Sequence, residues 1–401
     1  MSLPTPDDTA AVSHGTAPRL LRAPRAVTGD GTLENAWLVI EEGLIAELGE
    51  GAPPARLQAL DVVEIHDRTG AGAWLTPGFV DIHCHGGGGA AFTEGADAGR
   101  QAVAAHRAHG TSAMLASLVT DRVDRLVAQV HALVPLVQDG TVLGLHLEGP
   151  WLSARHCGAH PAELLGPPQP DDVDALLAAA QGTLAMVTLA PELPGALEAT
   201  RRLVAAGVRV AIGHTDATYD QTRAAIDAGA TVATHLFNAA RAPHHREPGP
   251  SLALLQDPRV AVESIVDGLH LHPAVVAETA SRVGERWVLV TDAMAAAAAP
   301  DGAYVLGTLP VTVARGTATV TGTSALAGST LTMDRAVRAA IAAGVDLDAA
   351  VRAATAAPAR ALGWQDRGVL RPGARADFCV VDHSGTLLHQ WYGEAGTAAR
   401  M

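Results

Sequence analysis

The chain has 401 residues, of which 48% are hydrophobic and 17% are charged, and its formal net charge is -14 at pH 7. This length accommodates one large core, such as a barrel of about 250 residues, together with a smaller module. Because affinity for nucleic acids depends on clustered positive charge, the acidic balance argues against a nucleic-acid partner and favours a small substrate.

The amino terminus, residues 1–17, is rich in Pro, Asp, Ser and Thr, so we predict a disordered tail. It lacks the basic flank and apolar stretch of a signal peptide, and the chain has no run of about 18 uncharged apolar residues. Its three cysteines show no CxxC spacing and indicate no disulfide framework. We therefore expect a cytoplasmic protein without a membrane partner.

Both ends of the chain carry short apolar runs separated by Gly and Glu. Ala36–Ile40 and Leu44–Leu48 are typical of β-hairpins, and Gly368–Leu370 and Ala376–Asp382 indicate further strands. Since these runs flank the middle of the chain, we expect residues 18–74 and 366–401 to pair as one small β-sandwich domain.

Residues 75–365 follow a different pattern, in which apolar strands alternate with helices of about ten to fifteen residues. Such alternation is typical of parallel βαβ units. About eight strands favour an α/β fold with a closed (β/α)8 TIM-type barrel over an open sheet. The predicted strands are Phe79–Ile82, Ala113–Leu118, Leu143–Leu147, Ala185–Leu189, Val208–Ile212, Thr231–Thr234, Ala261–Ile265 and Trp287–Val290. Active residues of such barrels lie at the carboxyl ends of the strands.

The first barrel strand ends in the run Asp81-Ile82-His83-Cys84-His85. Residues two apart on a strand face the same way, so His83 and His85 can present both imidazoles to one metal ion. Taken alone, the pair could also be two satisfied or exposed histidines. By the same alternation Cys84 points away from the metal, and we predict that it packs in the core.

Three further polar side chains end apolar strands, namely Glu148, His214 and His235. Neighbouring barrel strands would bring the two imidazoles together. One carboxylate oxygen and two imidazole nitrogens leave an open position for water on Zn²⁺ or Fe²⁺, as a hydrolytic metal requires. For Glu148 the alternative is a loop cap.

Asp292 ends the last predicted strand, in Val290-Thr291-Asp292-Ala293. A bound metal lowers the pKa of its water toward about 7, so a nearby aspartate can accept the proton and pass it to a leaving amine. Asp292 is therefore the candidate proton shuttle. A fourth metal ligand and a structural N-cap are its alternatives.

Nine phrases in order between about residues 75 and 335 resemble the amidohydrolase superfamily and, within it, the N-acetylglucosamine-6-phosphate deacetylases. They are Pro77–Asp81, His146–Pro150, Gly158–Pro161, Gly213–Ala217, Thr234–Ala239, Arg246–Gly249, Asp267–His270, Thr291–Ala293 and Leu326–Met333. The resemblance implies metal-dependent removal of the acetyl group from N-acetyl-D-glucosamine 6-phosphate, in amino-sugar catabolism and cell-wall sugar recycling. The products would be acetate and D-glucosamine 6-phosphate.

The same resemblance implies a role for each candidate residue. Glu148, His214 and His235 would hold the principal metal, and Asp292 would act as general base and then as general acid. His270 would contact the acetamide or the hydroxyls. The sugar pocket would be lined by Ala159, His160, Asn238, Ala239, Leu326, Ala327 and Gly328.

Arg246 would bind the 6-phosphate, because a planar guanidinium pairs with phosphate through two hydrogen bonds. In the family this arginine can reach in from a neighbouring subunit, which implies a homodimer. The alternative is a surface arginine paired with Glu247. His244, His245 and His272 are interpreted as loop or rim residues, and Cys157 is assigned no role.

The number and identity of the metal ions stay open. Some members of the family lack the first histidine pair and use one metal, whereas this chain keeps His83 and His85. One or two ions per subunit, Zn or Fe, are therefore expected. Several amidohydrolases bridge two metals with a carboxylated lysine, but this chain has no lysine, so a second metal would be bridged by Glu148.

Three alternative functions remain at this point. One is a deacetylase of N-acetylgalactosamine 6-phosphate or of another N-acyl compound on the same scaffold. Dihydroorotases and hydantoinases resemble the scaffold too, but the absence of lysine counts against them. The non-enzyme alternative is a barrel that serves as a sugar-phosphate-binding scaffold, and the intact set of ligands with Asp292 counts against it.

Overall fold

A computed structural model describes residues 17–65 and 72–393. Eight parallel strands follow one another around a barrel in chain order: β1 (Phe79–Asp81), β2 (Thr111–Val119), β3 (Gly144–Glu148), β4 (Leu184–Leu189), β5 (Arg209–Ile212), β6 (Val232–Ala233), β7 (Ala261–Ile265) and β8 (Trp287–Val290). The two ends of this sheet meet just beyond β1 and β8, where Cys84 and Ala293 form a parallel bridge. The TIM-type barrel is confirmed.

A helix follows each barrel strand and covers the outside of the barrel. The helices are α1 (Ala96–Arg107), α2 (Val123–Gln138), α3 (Pro170–Ala180), α4 (Ala196–Ala205), α5 (Tyr219–Asp227), α6 (Gly249–Gln256), α7 (Pro273–Val283), α8 (Met333–Ala342), α9 (Leu347–Ala353) and α10 (Ala356–Leu362). Their apolar faces repeat every three to four residues, as Leu126, Val130 and Leu133 do in α2. Within residues 17–65 and 72–393, none of the helices is long and apolar enough to cross a membrane.

The two chain ends form one seven-stranded sheet, and the prediction of a small β domain is confirmed. Its order is Leu387–Trp391, Phe378–Val381, Trp74–Pro77, Arg19–Val27, Thr32–Glu41 and Leu44–Glu50, with Asp61–Glu64 also paired to Arg19–Val27. The predicted strand at Gly368–Leu370 is wrong. Gly368 has φ +65°, and an added Cβ would meet the Thr355 carbonyl at 2.4 Å, so the chain turns there. The predicted tail lies almost wholly outside the described residues.

A three-stranded antiparallel sheet between β8 and α8 was not predicted. It consists of Gly302–Leu306, Leu309–Ala314 and Thr317–Val320. Its buried side chains Leu306, Val311 and Val313 form one apolar cluster with Val119 at the end of β2 and Met294 in the loop after β8. The sheet therefore packs beside the barrel mouth. A short strand pair, Gly86–Gly87 with Ala90–Ala91, and five 3-10 turns, Ala55–Leu57, Phe92–Glu94, Ala154–His156, Ala162–Leu164 and Gly284–Arg286, complete the described elements.

Candidate metal centre at the mouth of the barrel

Glu148, a buried carboxylate at the end of β3, faces five imidazoles. Its Oε1 lies 3.1 Å from Nε2 of His214 and 3.0 Å from Nε2 of His235. Its Oε2 lies 3.2 Å from Nε2 of His85 and 3.3 Å from Nε2 of His160. Nε2 of His83 approaches Oε1 as well, at 3.6 Å. Glu148 therefore lies between two halves of the cluster, the His83–His85 pair and the His214–His235 pair.

His83 and Asp292 complete the half that contains His85. The Nε2 atoms of His83 and His85 lie 3.1 Å apart, as their alternation on the strand predicts. Asp292 Oδ1 lies 3.2 Å from Nε2 of His85 and 3.5 Å from Nε2 of His83. The structure therefore brings the six predicted metal and proton-transfer residues into one cluster, with Glu148 between the halves.

The outer ring nitrogens of His85 and His214 indicate the tautomer of each of these two rings. Nδ1 of His85 lies 3.2 Å from the carbonyl oxygen of Ser117, and Nδ1 of His214 lies 2.9 Å from that of His156. A carbonyl only accepts, so each Nδ1 donates, and in the neutral ring Nε2 then carries the lone pair. Lone pairs and carboxylate oxygens then converge on one small volume. This donor set fits a divalent cation such as Zn²⁺ or Fe²⁺.

The pKa shifts of the cluster also indicate that positive charge is favoured between its carboxylates. Burial lowers the pKa of His83, but the carboxylates of Glu148 and Asp292 outweigh it and hold that pKa well above its usual value. For Glu148, burial raises the pKa, but His83 and His160 outweigh it and lower it. His160 itself is neutral near pH 7, because burial and the nearby His214 lower its pKa to about 4.

The backbone turns sharply at three residues of the cluster. His214, His235 and Asp292 have φ values of +46°, +25° and +46°, and each lies just beyond the end of its strand. Non-glycine residues in this left-handed region carry strain of about 1–3 kcal/mol each and occur mainly at functional sites. The turn ends β6 at Ala233, two residues before His235.

Two glycines allow other segments to approach the cluster closely. Gly158 has φ +57°, and an added Cβ would meet Cε1 of His214 at 3.0 Å. Gly328 also has φ +57°, and an added Cβ would meet the Asp292 carbonyl oxygen at 2.8 Å. A side chain at either position would displace the neighbouring metal-centre residue.

His270 lies in the loop after β7 and is held by Asp267. Its Nδ1 lies 2.8 Å from Asp267 Oδ2, and the other oxygen of Asp267 accepts the backbone N–H groups of Leu269 and His270. Burial lowers the pKa of His270, but the Asp267 carboxylate outweighs it and raises that pKa. The ring is thereby oriented and favoured in its charged form.

The predicted sugar-pocket residues lie around the cluster. His160 is inside it, with Nδ1 2.9 Å from Thr120 Oγ1, and Ala159 precedes it in the chain. Asn238 donates from Nδ2 to the His235 carbonyl at 3.1 Å, and Ala239 has φ +44°. The segment Leu326–Gly328 runs beside Asp292, since the next residue, Ser329, donates its N–H to the Asp292 carbonyl at 2.7 Å.

Arg246 lies on an exposed loop and not in the buried cluster. Its Nη1 lies 2.7 Å from Nε2 of His245, and its backbone N–H donates to Nδ1 of His244. Glu247, its alternative partner, accepts backbone N–H groups from Tyr219 and Gly249. The loop after β6 therefore presents a guanidinium flanked by two imidazoles to solvent.

A polar layer beneath the cluster was missed in the sequence. His146 bonds to Ser117 Oγ and Thr188 Oγ1, both at 2.9 Å, and its ring packs edge-on against His83 at 4.7 Å. Glu263, buried on β7, contacts Nδ1 of His83 at 3.2 Å. A charged residue inside the apolar strand Ala261–Ile265 was the available signal for Glu263.

Comparisons with known proteins identify similar sequences and structures. A family model described as "Amidohydrolase family" matches residues 74–397. A solved variant of N-acetyl-D-glucosamine-6-phosphate deacetylase from Mycobacterium smegmatis, in complex with N-acetyl-D-glucosamine-6-phosphate, is 48% identical with a TM-score of 0.89, over 94% of this chain and 98% of that one. The Pasteurella multocida N-acetylglucosamine-6-phosphate deacetylase is 27% identical with a TM-score of 0.86, over 94% and 98%.

A curated relative carries the name of the epimeric activity. N-acetylgalactosamine-6-phosphate deacetylase from Escherichia coli O157:H7 is 38% identical over 378 residues, which cover 92% of this chain and 97% of that protein. The relatives therefore include deacetylases named for two hexosamine phosphates that differ only in the configuration at C4.

Proposed function

The chain belongs to the amidohydrolase family, and from this membership we propose that it hydrolyses the acetamide of N-acetyl-D-glucosamine 6-phosphate to D-glucosamine 6-phosphate and acetate. The reaction would serve amino-sugar catabolism and cell-wall sugar recycling. One observation carries the proposal: Glu148 faces five imidazole nitrogens, beside Asp292, at the mouth of the barrel. Cytoplasmic residence is part of the proposal, because a phosphorylated sugar is charged and does not cross a membrane unaided.

The cluster would hold one or two divalent ions, Zn or Fe. Glu148, His214 and His235 would bind the principal ion, and His83 and His85 would bind a second ion that shares Glu148. A divalent ion held by these residues would supply Lewis-acid polarisation of the amide carbonyl and would make water a better nucleophile near neutral pH. The remaining chemistry belongs to side chains of this chain.

Asp292 would carry the proton. Burial raises its pKa, but His83 and His85 outweigh burial and lower it, so the carboxylate is ionised near pH 7. It accepts a proton from water as the oxygen adds to the acetamide carbon. It then gives that proton to the nitrogen as the C–N bond breaks, so that acetate and a free amine leave.

His270 would stabilise the substrate's oxygen. With Nδ1 donated to Asp267, its other ring nitrogen is available for the acetamide oxygen or a sugar hydroxyl. His160 would line the sugar pocket together with Ala159, Asn238 and Ala239. Leu326, Ala327 and Gly328 would close the pocket next to Asp292.

Arg246 would bind the 6-phosphate, supported by its exposure on the loop after β6. Paired N–H donors of a guanidinium match two phosphate oxygens. The phosphate would belong to a substrate in the same subunit or in a neighbouring one, and the second arrangement requires a homodimer. Light scattering measures whether the protein is a dimer. Mixing Arg246→Ala subunits with Asp292→Asn subunits then distinguishes the two arrangements, because activity returns on mixing only if Arg246 of one subunit serves the site of the other.

The experiment that tests the proposal measures acetate release from N-acetyl-D-glucosamine 6-phosphate and from unphosphorylated N-acetyl-D-glucosamine, with metal analysis of the same preparation. We expect kcat/KM for the phosphorylated sugar to be higher by on the order of 100-fold, the value of one charge-assisted bidentate contact. The absence of acetate release by protein loaded with Zn²⁺ or Fe²⁺ would reject the proposal.

N-acetylgalactosamine 6-phosphate is the second candidate substrate, since the relative from Escherichia coli O157:H7 is named for it. The two sugars share the acetamide and the phosphate, so the metal centre and Arg246 would serve both. Parallel kinetics of the two epimers decides between them. A higher kcat/KM for the galacto epimer would reassign the substrate without changing the chemistry.

A further inference from the structure

We propose that Glu263 is a positioning residue that fixes His83 as a metal ligand and joins the His83–His85 half of the centre to the His235 half. This inference rests on the proposed function, because it assigns Glu263 a task toward the divalent metal. Glu263 itself lies beneath the cluster and touches the metal-centre residues from behind.

Glu263 lies in the middle of β7 and is fully buried. Its Oε2 is 3.2 Å from Nδ1 of His83 and 3.2 Å from the backbone nitrogen of His235. A carboxylate oxygen only accepts, so both nitrogens donate to it when Glu263 is ionised. One oxygen atom therefore holds residues that follow β1 and β6.

The bond to His83 decides which nitrogen of that ring is free. With the proton on Nδ1, the lone pair is on Nε2, the atom that lies 3.1 Å from Nε2 of His85 and 3.5 Å from Asp292 Oδ1. The opposite tautomer would point an N–H into the centre and exclude a cation. A carboxylate behind a metal-binding imidazole fixes the tautomer and strengthens the ligand.

The bond to His235 supports a strained backbone. His235 has φ +25°, which is unfavourable for a residue with a Cβ. Two hydrogen bonds hold this turn against β7: the His235 N–H to Glu263 Oε2, and the Leu236 N–H to the Glu263 carbonyl at 2.9 Å. Glu263 thus contacts one ligand-bearing segment of each half.

Packing alone does not account for a carboxylate here. The neighbours of Glu263 on β7 are the buried residues Val262 and Ser264, and neither pairs with Glu263 Oε1, which has no hydrogen-bond partner among the described residues. A buried, half-satisfied polar group costs stability, and an apolar side chain of similar size would be better tolerated. The contact with His83 supplies the reason for the carboxylate.

The test is a titration of metal-free protein with Zn²⁺ in buffers of defined free metal, read as ions bound per subunit by elemental analysis. We expect two binding steps in the wild type and a weakening of one step by about 10- to 100-fold in Glu263→Leu. Glu263→Gln keeps an oxygen that accepts from His83 and is expected to recover most of the affinity. Ser264→Ala is the matched control, because it removes a buried hydrogen bond to Trp287 from the next residue of β7.

Unchanged binding in Glu263→Leu, or an equal loss in Ser264→Ala, would overturn the inference. So would a wild type that binds a single ion. If Glu263→Leu does not fold, the titration is made with Glu263→Asp, whose side chain is shorter by one methylene and withdraws the carboxylate from His83. Weaker binding of one Zn²⁺ ion by Glu263→Asp supports the inference, and a titration identical to that of the wild type overturns it. A wild type that binds no metal would instead reject the proposed function.

Discussion

Charged side chains are exposed in the chain-end sheet and buried at the mouth of the barrel. In the sheet, ion pairs such as Arg56–Glu47 and Arg22–Glu64 lie at the surface, with 37–60% of each side chain exposed. At the barrel mouth, Glu148 and Asp292 are only 4% and 11% exposed. Exposed pairs add little to stability, whereas buried charges are costly unless they are compensated. The sheet therefore keeps its ion pairs in solvent, whereas the barrel mouth buries carboxylates whose charge is compensated by neighbouring histidines.

The backbone shows the same contrast. In the sheet, positive φ values occur at exposed residues, Asn35 and Glu42. At the barrel mouth they occur at buried His214, His235 and Asp292. Strain at buried residues persists only where the surrounding packing imposes it. Substitutions in the two regions should therefore have different consequences. In the sheet they should lower the stability of the fold, and at the mouth they should lower activity in a protein that stays folded.

The largest effect is expected for Asp292→Asn. The amide cannot accept a proton, so kcat for acetate release should fall by about 10²- to 10⁴-fold, while bound metal and the melting temperature stay close to those of the wild type. Steady-state kinetics and elemental analysis measure both. Asp301→Asn, at an exposed position in the loop that follows, is the matched control. Retention of full activity in Asp292→Asn would exclude the proton-transfer role.

Leu38→Ala is the counterpart in the sheet. Leu38 is fully buried in the apolar cluster of the sheet with Ile45 and Val380. The cavity should lower the free energy of unfolding by about 2–5 kcal/mol, whereas kcat per folded molecule should not change. Denaturant unfolding and kinetics at a temperature where the variant is folded check the two statements. A fall in kcat comparable to that of Asp292→Asn would break the division between the regions.

Arg246→Ala tests the rim of the mouth. Loss of the guanidinium should lower kcat/KM for the phosphorylated sugar by about 10- to 100-fold and leave the unphosphorylated sugar unaffected. Arg201→Ala, at an exposed arginine on α4, serves as the control for charge alone. An unchanged preference for the phosphorylated sugar would remove the phosphate role from Arg246.

The smallest effect concerns a buried carboxylate away from the mouth, Asp257 at the end of α6. Its hydrogen bonds with Arg259 outweigh burial and lower its pKa to about 2, below the unfolded value of about 3.9. The stabilisation is therefore present above about pH 4 and is lost as the pH falls toward 2. Asp257→Asn should cost about 1–2 kcal/mol near pH 7, and less near pH 3.

Denaturant unfolding of wild type and Asp257→Asn at the two pH values measures this difference. Glu47→Gln, at the exposed pair with Arg56, should leave the unfolding midpoint unchanged at both. A penalty for Asp257→Asn that does not depend on pH would show that packing, and not charge, is the cause.

Much of the barrel could be predicted from sequence because its signals are local. Trp287–Val290 is an apolar run that ends in polar residues, and Ala261–Ile265 is apolar apart from Glu263 and Ser264; both strands have the predicted bounds. The strand before His235 is shorter than predicted, because the positive φ of His235 ends it early. The sheet of residues 302–320 was not predicted, because its alternating strands do not fit the βαβ repeat of the barrel.

Contacts between distant strands could not be predicted in the same way. The chain places His83 and Glu263 far apart, and only the closure of the barrel brings Glu263 Oε2 within 3.2 Å of His83 Nδ1. The contact between His160 and Glu148 likewise depends on a loop conformation that Gly158 permits. The roles of the individual site residues stay predictions.

Removal of the metal tests the central claim most directly. Protein stripped by a chelator should release no acetate from N-acetyl-D-glucosamine 6-phosphate, and Zn²⁺ or Fe²⁺ should restore release in proportion to the ion bound. Undiminished acetate release by protein that elemental analysis finds free of metal would contradict the claim that Glu148, His214 and His235 hold the ion on which hydrolysis depends.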